Sequence, residues 1–355
     1  MMSLNKFLCK LDSVDLSDCM IYNLDLLETL VEKLKLDFSN CTLLYAMKAN
    51  SNKKILELIS HLDVGVDCAS YEEFTKANKY DFKIISCTGP GFKIDEINKI
   101  ISNSYIFDFD NVDQLESYIN KYGSIESSAG LRISCDNSHL GFSLEEVIKY
   151  SYLIEGLTRI HIHFGQKNVD NIIKNLGYLK SIIEKNMFVF MNVKQINFGG
   201  SIEDLYIKGH QHFASSLFSD FKQEIDNLLN RNVEIILEPG DFLARPIGFY
   251  KTKILYSTHN NITVNSSVLN FCSWYPKKVV IPSDMSGSKY IYRASGNSCF
   301  EDDVFCVLET DRKLVSGDTA VIYPVGSYNF NMNRFIHDRK VDYQTIYYHK
   351  GAFFE

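Results

Sequence analysis

Between residues 43 and 240, short β-rich runs alternate with longer amphipathic ones, and no other feature of the chain restricts its fold as much. Candidate strands are Leu43–Met47, Val64–Asp67, Lys83–Cys87, Tyr105–Phe109, Leu131–Cys135, Arg159–His163, Gln195–Phe198 and Glu234–Leu237. Helical patterns fill the gaps over Asn52–Leu62, Tyr71–Tyr80, Asp95–Ser102, Val112–Tyr122, Leu144–Leu157, Val169–Lys185 and Phe213–Leu229. Strand alternating with helix predicts a parallel sheet, and eight strands is the number that closes a (β/α)8 barrel. The rival, an open doubly wound sheet, would carry a GxGxxG turn after its first strand, and the chain has none. After Pro246 the texture changes to short β-branched runs (Gly248–Tyr256, Asn261–Asn265, Lys278–Pro282, Tyr290–Arg293, Asp303–Glu309, Thr319–Tyr323) separated by Gly, Asn, Asp and Ser. These predict an antiparallel β domain. Residues 1–20 are too few to fold alone and are expected to lend it a strand. The expected division is a barrel over 21–245 and a β domain from 1–20 with 246–355.

The chain has 355 residues, 45% of them apolar, enough for one large core and a smaller one. Lys+Arg 37 against Asp+Glu 44 gives a net charge of −7 without a basic block, which argues against nucleic acid or an anionic membrane as partner. No apolar run reaches the roughly 18 residues of a membrane span, and no signal-peptide core opens the chain. The 9 cysteines form no CxxC pair, which fits free thiols in a reducing, cytoplasmic setting.

In such a barrel the working residues gather at the C-terminal ends of the strands. Lys48 closes the apolar run Leu43–Met47 just before Ala49-Asn50. A lysine desolvated there suits a Schiff base with an aldehyde cofactor, while a head group that snorkels to water is the plainer alternative. Gly199-Gly200-Ser201 follows a strand and offers backbone N–H groups to a phosphate, although an ordinary turn has the same composition. His161 and His163 share one strand face, compatible with a metal pair or with one core histidine and one at the strand end. Glu238, fixed by Pro239-Gly240, is a carboxylate at a buried strand end that wants a cationic partner such as a protonated ring.

Taken in order, Tyr45–Asn50, Val66–Ser70, Leu131-Arg132-Ile133, His163-Phe164-Gly165, Gly199-Gly200, Glu238-Pro239-Gly240, Gly296-Asn297-Ser298-Cys299 and Gly326-Ser327-Tyr328 resemble one family. It is the fold-type III pyridoxal-phosphate decarboxylases, the group of ornithine, diaminopimelate and carboxynorspermidine decarboxylases with an alanine-racemase-like barrel. The resemblance implies that Lys48 holds pyridoxal 5'-phosphate and that Glu238 keeps its pyridine nitrogen protonated. It further implies that His163 stacks on the ring, that Asp67 and Arg132 support it, and that Gly199, Gly200, Ser201, Gly240 and Tyr328 surround the phosphate. Cys299, Phe300, Asp303 and Tyr328 are implied to meet the substrate, with Cys299 and Asp303 reaching a neighbouring subunit's site in a homodimer. No metal is implied. The racemase branch sets arginine against the ring nitrogen, so Glu238 favours decarboxylation.

Two departures bear on substrate. Many relatives follow Glu-Pro-Gly with an arginine, and here Asp241 follows, leaving Arg245 or another donor to compensate. Ornithine-type enzymes have Asp and diaminopimelate-type enzymes Glu after the cysteine, and here it is Phe300. Both point to an amino-acid centre with a bulky far end. Carboxynorspermidine is one such substrate, and an aminocarboxypropyl group on a peptide–nucleotide antibiotic is another. In this respect the chain is similar to the decarboxylase domain of microcin C maturation proteins, which precedes an acetyltransferase domain. The aromatic segment Trp274-Tyr275-Pro276 is compatible with stacking on a base and with ordinary surface.

Overall fold

The computed structural model describes residues 4–123, 125, 129–135, 138–153, 158–282, 289–329 and 335–355. By internal contacts the chain divides into two compact units, Val31–Phe242, and Met1–Leu30 together with Leu243–Glu355. Strand β1 (Cys19–Asn23) lies in the latter. The strands that follow, β2 (Cys41–Ala46), β3 (Gly65–Cys68), β4 (Ile85–Thr88), β5 (Ile106–Phe109), β6 (Ala129–Ile133), β7 (Arg159–Ile162), β8 (Gln195–Asn197) and β9 (Glu234–Leu237), belong to the former.

Strands β2 to β9 form a closed, all-parallel barrel in sequence order, sealed by the pairing of β2 with β9. The expected (β/α)8 fold is therefore the one observed, with strand ends shifted by a residue or two. Its connections are written locally in the sequence. Asn52, Ser70, Asn111, Ser143 and Asn168 each cap a following helix by accepting a backbone N–H two or three residues on. The helices bury one apolar face, as Ile55, Leu56 and Ile59 do in Lys53–His61 and Ile97, Ile100 and Ile101 do in Ile94–Ser102. Of the helix expected over Leu144–Leu157, the part Leu144–Lys149 forms, and residues 154–157 lie outside the described residues.

The other unit is a β domain built on β1 with β10 (Gly248–Ser257), β11 (Asn261–Val264), β12 (Lys278–Val280), β13 (Tyr290–Ser295), β14 (Val304–Thr310), β15 (Thr319–Tyr323), β16 (Gln344–His349) and β17 (Ala352–Phe354). Most pairings are antiparallel, as expected, but β1 runs parallel to β16 and β11 parallel to β13. The N-terminal residues contribute a helix, Leu4–Leu11, as well as the strand. Phe7, Leu8 and Leu11 of that helix pack with Ile21, Phe249, Val321 and Ile346 in the sheet core. The buried Lys251 ammonium donates to the carbonyls of Leu11 and Val14, closing the helix C-terminus. Among the described residues no helix is long and apolar enough to cross a membrane.

Candidate active site

Lys48 sits in the single turn Met47–Ala49 after β2, and it is exposed. Of the two sequence readings, a desolvated amine and a head group that reaches water, the structure has the second. Strand pairing stops at Ala46, and the next turn carries the amine to solvent. Its charge nevertheless acts on Asp67, Glu73 and His163. Asp67, near the end of β3, is buried, and neither carboxylate oxygen has a hydrogen-bond partner among the described residues. Burial, and then the charge of Glu238, push its carboxyl well above the usual range against the pull of Lys48 and Arg159.

Deeper in the barrel the strands place a lattice of charges in register. Arg159 and His161 alternate with apolar residues on β7 and so share the interior face. Asp108 on β5 receives both, with Arg159 Nε at 3.1 Å and His161 Nδ1 at 3.2 Å from its Oδ2. Burial opposes the charge on Asp108, but the Arg159 guanidinium and the hydrogen bond from the His161 ring hold its carboxyl below the usual range. Arg159 also donates to Ser86 Oγ at 2.8 Å, and its Nη2 lies 3.8 Å from Glu238 Oε1. Gly130 on β6 makes room for the lattice, because a Cβ there would stand 2.0 Å from Asp108 Oδ1. Glu238, directly after β9, is buried, accepts from Asn197 Nδ2, and has Oε2 3.7 Å from His161 Nε2. Arg132 pairs with buried Asp110 at 3.2 Å.

At the strand ends, Gly165 N donates to His163 Nδ1 at 3.3 Å, so the ring carries its proton on Nε2. Burial, reinforced by the positive charges of Lys167 and Lys48, keeps this imidazole neutral well below the ordinary histidine range. Among the described residues neither His161 nor His163 belongs to a group of three donor side chains close enough to share one ion. Gly199, at φ +67°, lies so close to His163 that a Cβ would meet Cδ2 at 2.3 Å, and a Cβ on Gly200 would stand 2.4 Å from the Glu238 carbonyl oxygen. Gly199 N donates to Asn197 Oδ1 at 2.9 Å, and Ser201 holds φ +64°. Gly240 is likewise crowded, with Ala46 Cβ 2.9 Å from where its own Cβ would be. Lys167 is wholly buried, its ammonium donates to the Gly200 carbonyl, and its backbone N donates to Ser201 O at 2.8 Å. Burial lowers this lysine to about 7.

Sequence reasoning missed Asp108, Arg159, Asn197 and Lys167. The alternation that put His161 and His163 on one face, run two residues back, reaches Arg159, and Asp108 is a lone charge inside the apolar run Tyr105–Phe109.

In the β unit, Cys299, Phe300 and Asp303 lie on the connection between β13 and β14. Cys299 is exposed, and Phe300 is 49% exposed. Asp303 is buried, and its carboxylate accepts from Val268 N at 2.8 Å, Ser298 N at 3.0 Å and Ser298 Oγ at 2.6 Å. Gly296 is required beside it, since a Cβ would meet Oδ1 at 2.2 Å. Asp303 thus fastens the loop from within. Tyr328, half-buried at φ +54°, packs on Trp274, which is 70% exposed. Arg245 lies over the Tyr275 ring, 4.9 Å from its centroid.

A glycine-built anion cradle beside an accessible lysine, with a buried carboxylate held among cations, is a donor set for a phosphorylated aldehyde with a basic ring. The sequence profile described as "Pyridoxal-dependent decarboxylase, pyridoxal binding domain" matches residues 24–245, well over half of the chain. The chain belongs to this family of pyridoxal-dependent decarboxylases. It is thus a carboxy-lyase whose cofactor is pyridoxal phosphate. It is similar to the Staphylococcus aureus 2-[(L-alanin-3-ylcarbamoyl)methyl]-2-hydroxybutanedioate decarboxylase, at 28% identity over 61% of this chain and 61% of that protein. The chain thus spans under two thirds of that relative. A diaminopimelate decarboxylase of Helicobacter pylori is 26% identical over 81% of this chain and 79% of its own. Among solved structures, the diaminopimelate decarboxylase from M. jannaschi superposes with a TM-score of 0.83 at 17% identity, covering 98% of this chain and 90% of that one. That last likeness is one of fold.

Proposed function

We propose that this pyridoxal-dependent decarboxylase removes the α-carboxylate of an amino-acid centre attached to a larger molecule. The form expected from the sequence is an aminocarboxypropyl group on a microcin C-type peptide–nucleotide. The observation that carries this reading is Phe300. The residue after Cys299 is an exposed aromatic ring, stacked on His337 with centroids 5.2 Å apart, and the nearby Asp303 carboxylate is turned inward. An aromatic ledge accepts a broad group and leaves a distal ammonium unpaired. The Staphylococcus aureus relative lends support, because its named substrate is an alanine extended at C3 by a large polar group. Exposed Glu301 and Asp302 on the same loop favour the alternative, a distal amine as in carboxynorspermidine, diaminopimelate, ornithine or lysine.

In this reading Lys48 would hold the cofactor through its aldehyde, and Gly199, Gly200, Ser201 and Gly240 would hold its phosphate. Bound pyridoxal phosphate would supply the sink for the electron pair left as CO2 departs. Glu238, steadied by Asn197 and the Arg159–His161–Asp108 lattice, would hold a proton at the ring nitrogen. Neutral His163 would support the ring without adding a competing positive charge. Asp67 and Arg132 orient the amine and the ring, and Cys299 returns a proton to the carbon that lost its carboxylate. The reading includes a homodimer in which Cys299 of one subunit completes the site of the other.

The test is CO2 release, with pyridoxal phosphate added, from ornithine, lysine, diaminopimelate, carboxynorspermidine and an aminocarboxypropylated nucleotide. Release from the nucleotide supports the reading, and preferential release from a diamine substrate overturns it. Lys48→Ala should lower turnover by at least roughly 1,000-fold and remove the absorbance of lysine-bound cofactor. Mixing it with Cys299→Ala should restore part of the activity if the sites are shared.

A further inference from the structure

The reading above gives Cys299 a proton to deliver and leaves open what resupplies it. His337 stands at the tip of a tight turn, Ile336–Arg339, in which Ile336 N donates to Arg339 O at 3.1 Å and Arg339 N to Ile336 O at 3.0 Å. His337 and Asp338 both have positive φ, +51° and +58°, the signature of a two-residue type I′ turn. Two contacts tie this turn to the cysteine loop. Arg339 Nη2 donates to Asn297 O at 2.8 Å, and the His337 ring stacks on Phe300 at an interplanar angle of 24°. The result is that His337 Nε2 lies 3.3 Å from Cys299 Sγ and also accepts the Cys299 backbone N–H at 3.3 Å. A nitrogen that accepts a backbone N–H has its lone pair free of a proton, so the thiol is the group with a proton to share.

We infer that His337 is the acid–base partner of Cys299, a positioning residue that returns a proton to the sulfur after each transfer. In the transfer itself the S–H bond breaks and a C–H bond forms at the carbon that carried the carboxylate. The exposed imidazole then takes a proton from water at Nε2 and passes it to the electron pair left on sulfur, which restores the thiol and the neutral ring. One solvent proton thus enters the product for each CO2 that leaves. Charged groups on the same loop and turn are Asp338, Arg339, Glu301 and Asp302, with Arg293, whose Nη2 donates to the Glu301 carbonyl at 3.2 Å. Buried Asp303 reaches the loop through Ser298. None of these touches the sulfur in a hydrogen bond, and His337 does. This inference rests on the role proposed for Cys299 but not on the identity of the substrate.

The experiment compares the alkylation of Cys299 by iodoacetamide with that of Cys9, the other exposed thiol among the described residues, by peptide mass spectrometry between pH 5.5 and 9. Among the described residues the hydrogen-bond partner of Cys9 is the Pro282 carbonyl, 3.5 Å away, so it serves as a thiol without an imidazole beside it. Alkylation consumes the thiolate, so an imidazole acceptor should make Cys299 react roughly 5- to 10-fold faster than Cys9 at pH 7. His337→Asn keeps the left-handed turn, since asparagine tolerates positive φ, and should bring Cys299 down to the Cys9 rate. His337→Gly should be rescued by added imidazole, both in alkylation and in the turnover of the loaded enzyme. Equal Cys299 rates in wild type and His337→Asn across the pH range would overturn the inference. So would turnover indifferent to His337→Gly. If wild type decarboxylates none of the substrates offered, the substrate proposal fails, and the alkylation rates still decide the pair.

Discussion

The barrel interior and the Cys299 loop hold their polar groups by opposite means. In the barrel, strand register does the placing. Asp108 on β5 meets Arg159 and His161 on β7 across Gly130 of the intervening β6, and Asn197 stands beside His161 on β8, because the backbone ladder fixes all of them in register. In the loop no ladder is available, and a side chain does the work of the backbone. Asp303 gathers the amides of Val268 and Ser298, while Arg339 and the ring of His337 hold the outer rim. A register-built lattice is rigid and costly to break. A loop clamped by one carboxylate is cheaper to disturb and can be altered without touching the barrel. If this loop meets the substrate as proposed, substrate preference can vary here while the cofactor site persists.

Removing Arg159 should have the largest effect on stability. Arg159→Met leaves Asp108, and in part Glu238, buried without their main cation, and losing one partner of a buried ionic set costs about 3–5 kcal/mol. Urea denaturation at pH 7 measures it. A loss below about 1 kcal/mol would mean that water or rearrangement already compensates the lattice, and the contrast with the loop would fall. Asp303→Ala should cost less, about 1–3 kcal/mol, because it strands two backbone N–H groups and a hydroxyl that water can partly reach. Its signature is a fall in kcat with pyridoxal phosphate affinity unchanged, as expected if the clamp serves Cys299 alone. Equal damage to cofactor affinity would show that the two regions are not separable.

Much of this was legible in the sequence, for reasons that differ by region. The barrel strands are short, largely apolar runs, and five of the helices that follow them carry their own capping residue, so local chemistry marks where strand gives way to helix. Lys48, Asp67, Arg132, His163 and Glu238 stood out as polar residues closing apolar runs, which is where this fold keeps its chemistry. The charges within the strands did not stand out. A lone Asp108 or Arg159 reads as an interruption until its partner on a non-adjacent strand is known, and pairing across the barrel is not a local property. The same holds for the parallel pairings β1–β16 and β11–β13, which join residues hundreds or tens of positions apart. The hairpin β16–β17 was missed although its turn, Lys350-Gly351, has the positive φ values of a tight reversal, because lysine does not announce a left-handed residue as asparagine would. Asp303 was expected from family resemblance to meet the substrate, and its burial behind Ser298 is visible only in three dimensions.

Lys167 sharpens the comparison, because it is as buried as the lattice but its ammonium is held by a loop carbonyl. Its folded value of about 7 lies below the ordinary lysine value of 10.5. Between those two values the unfolded chain binds a proton that the folded chain does not. Stability from this group is therefore greatest above pH 10.5, declines as pH falls toward 7, and levels off once both states are protonated. Lys167→Met removes the group and with it the decline. Relative to wild type the variant should therefore gain about 2 kcal/mol more at pH 7 than at pH 9, read as the difference of two urea denaturation pairs. If the difference is zero, Lys167 is protonated in the fold at both pH values. It would then stand with Arg159 as a permanent cation of the barrel. A full effect would set it apart from Arg159 as a barrel cation that gives up its proton near neutrality.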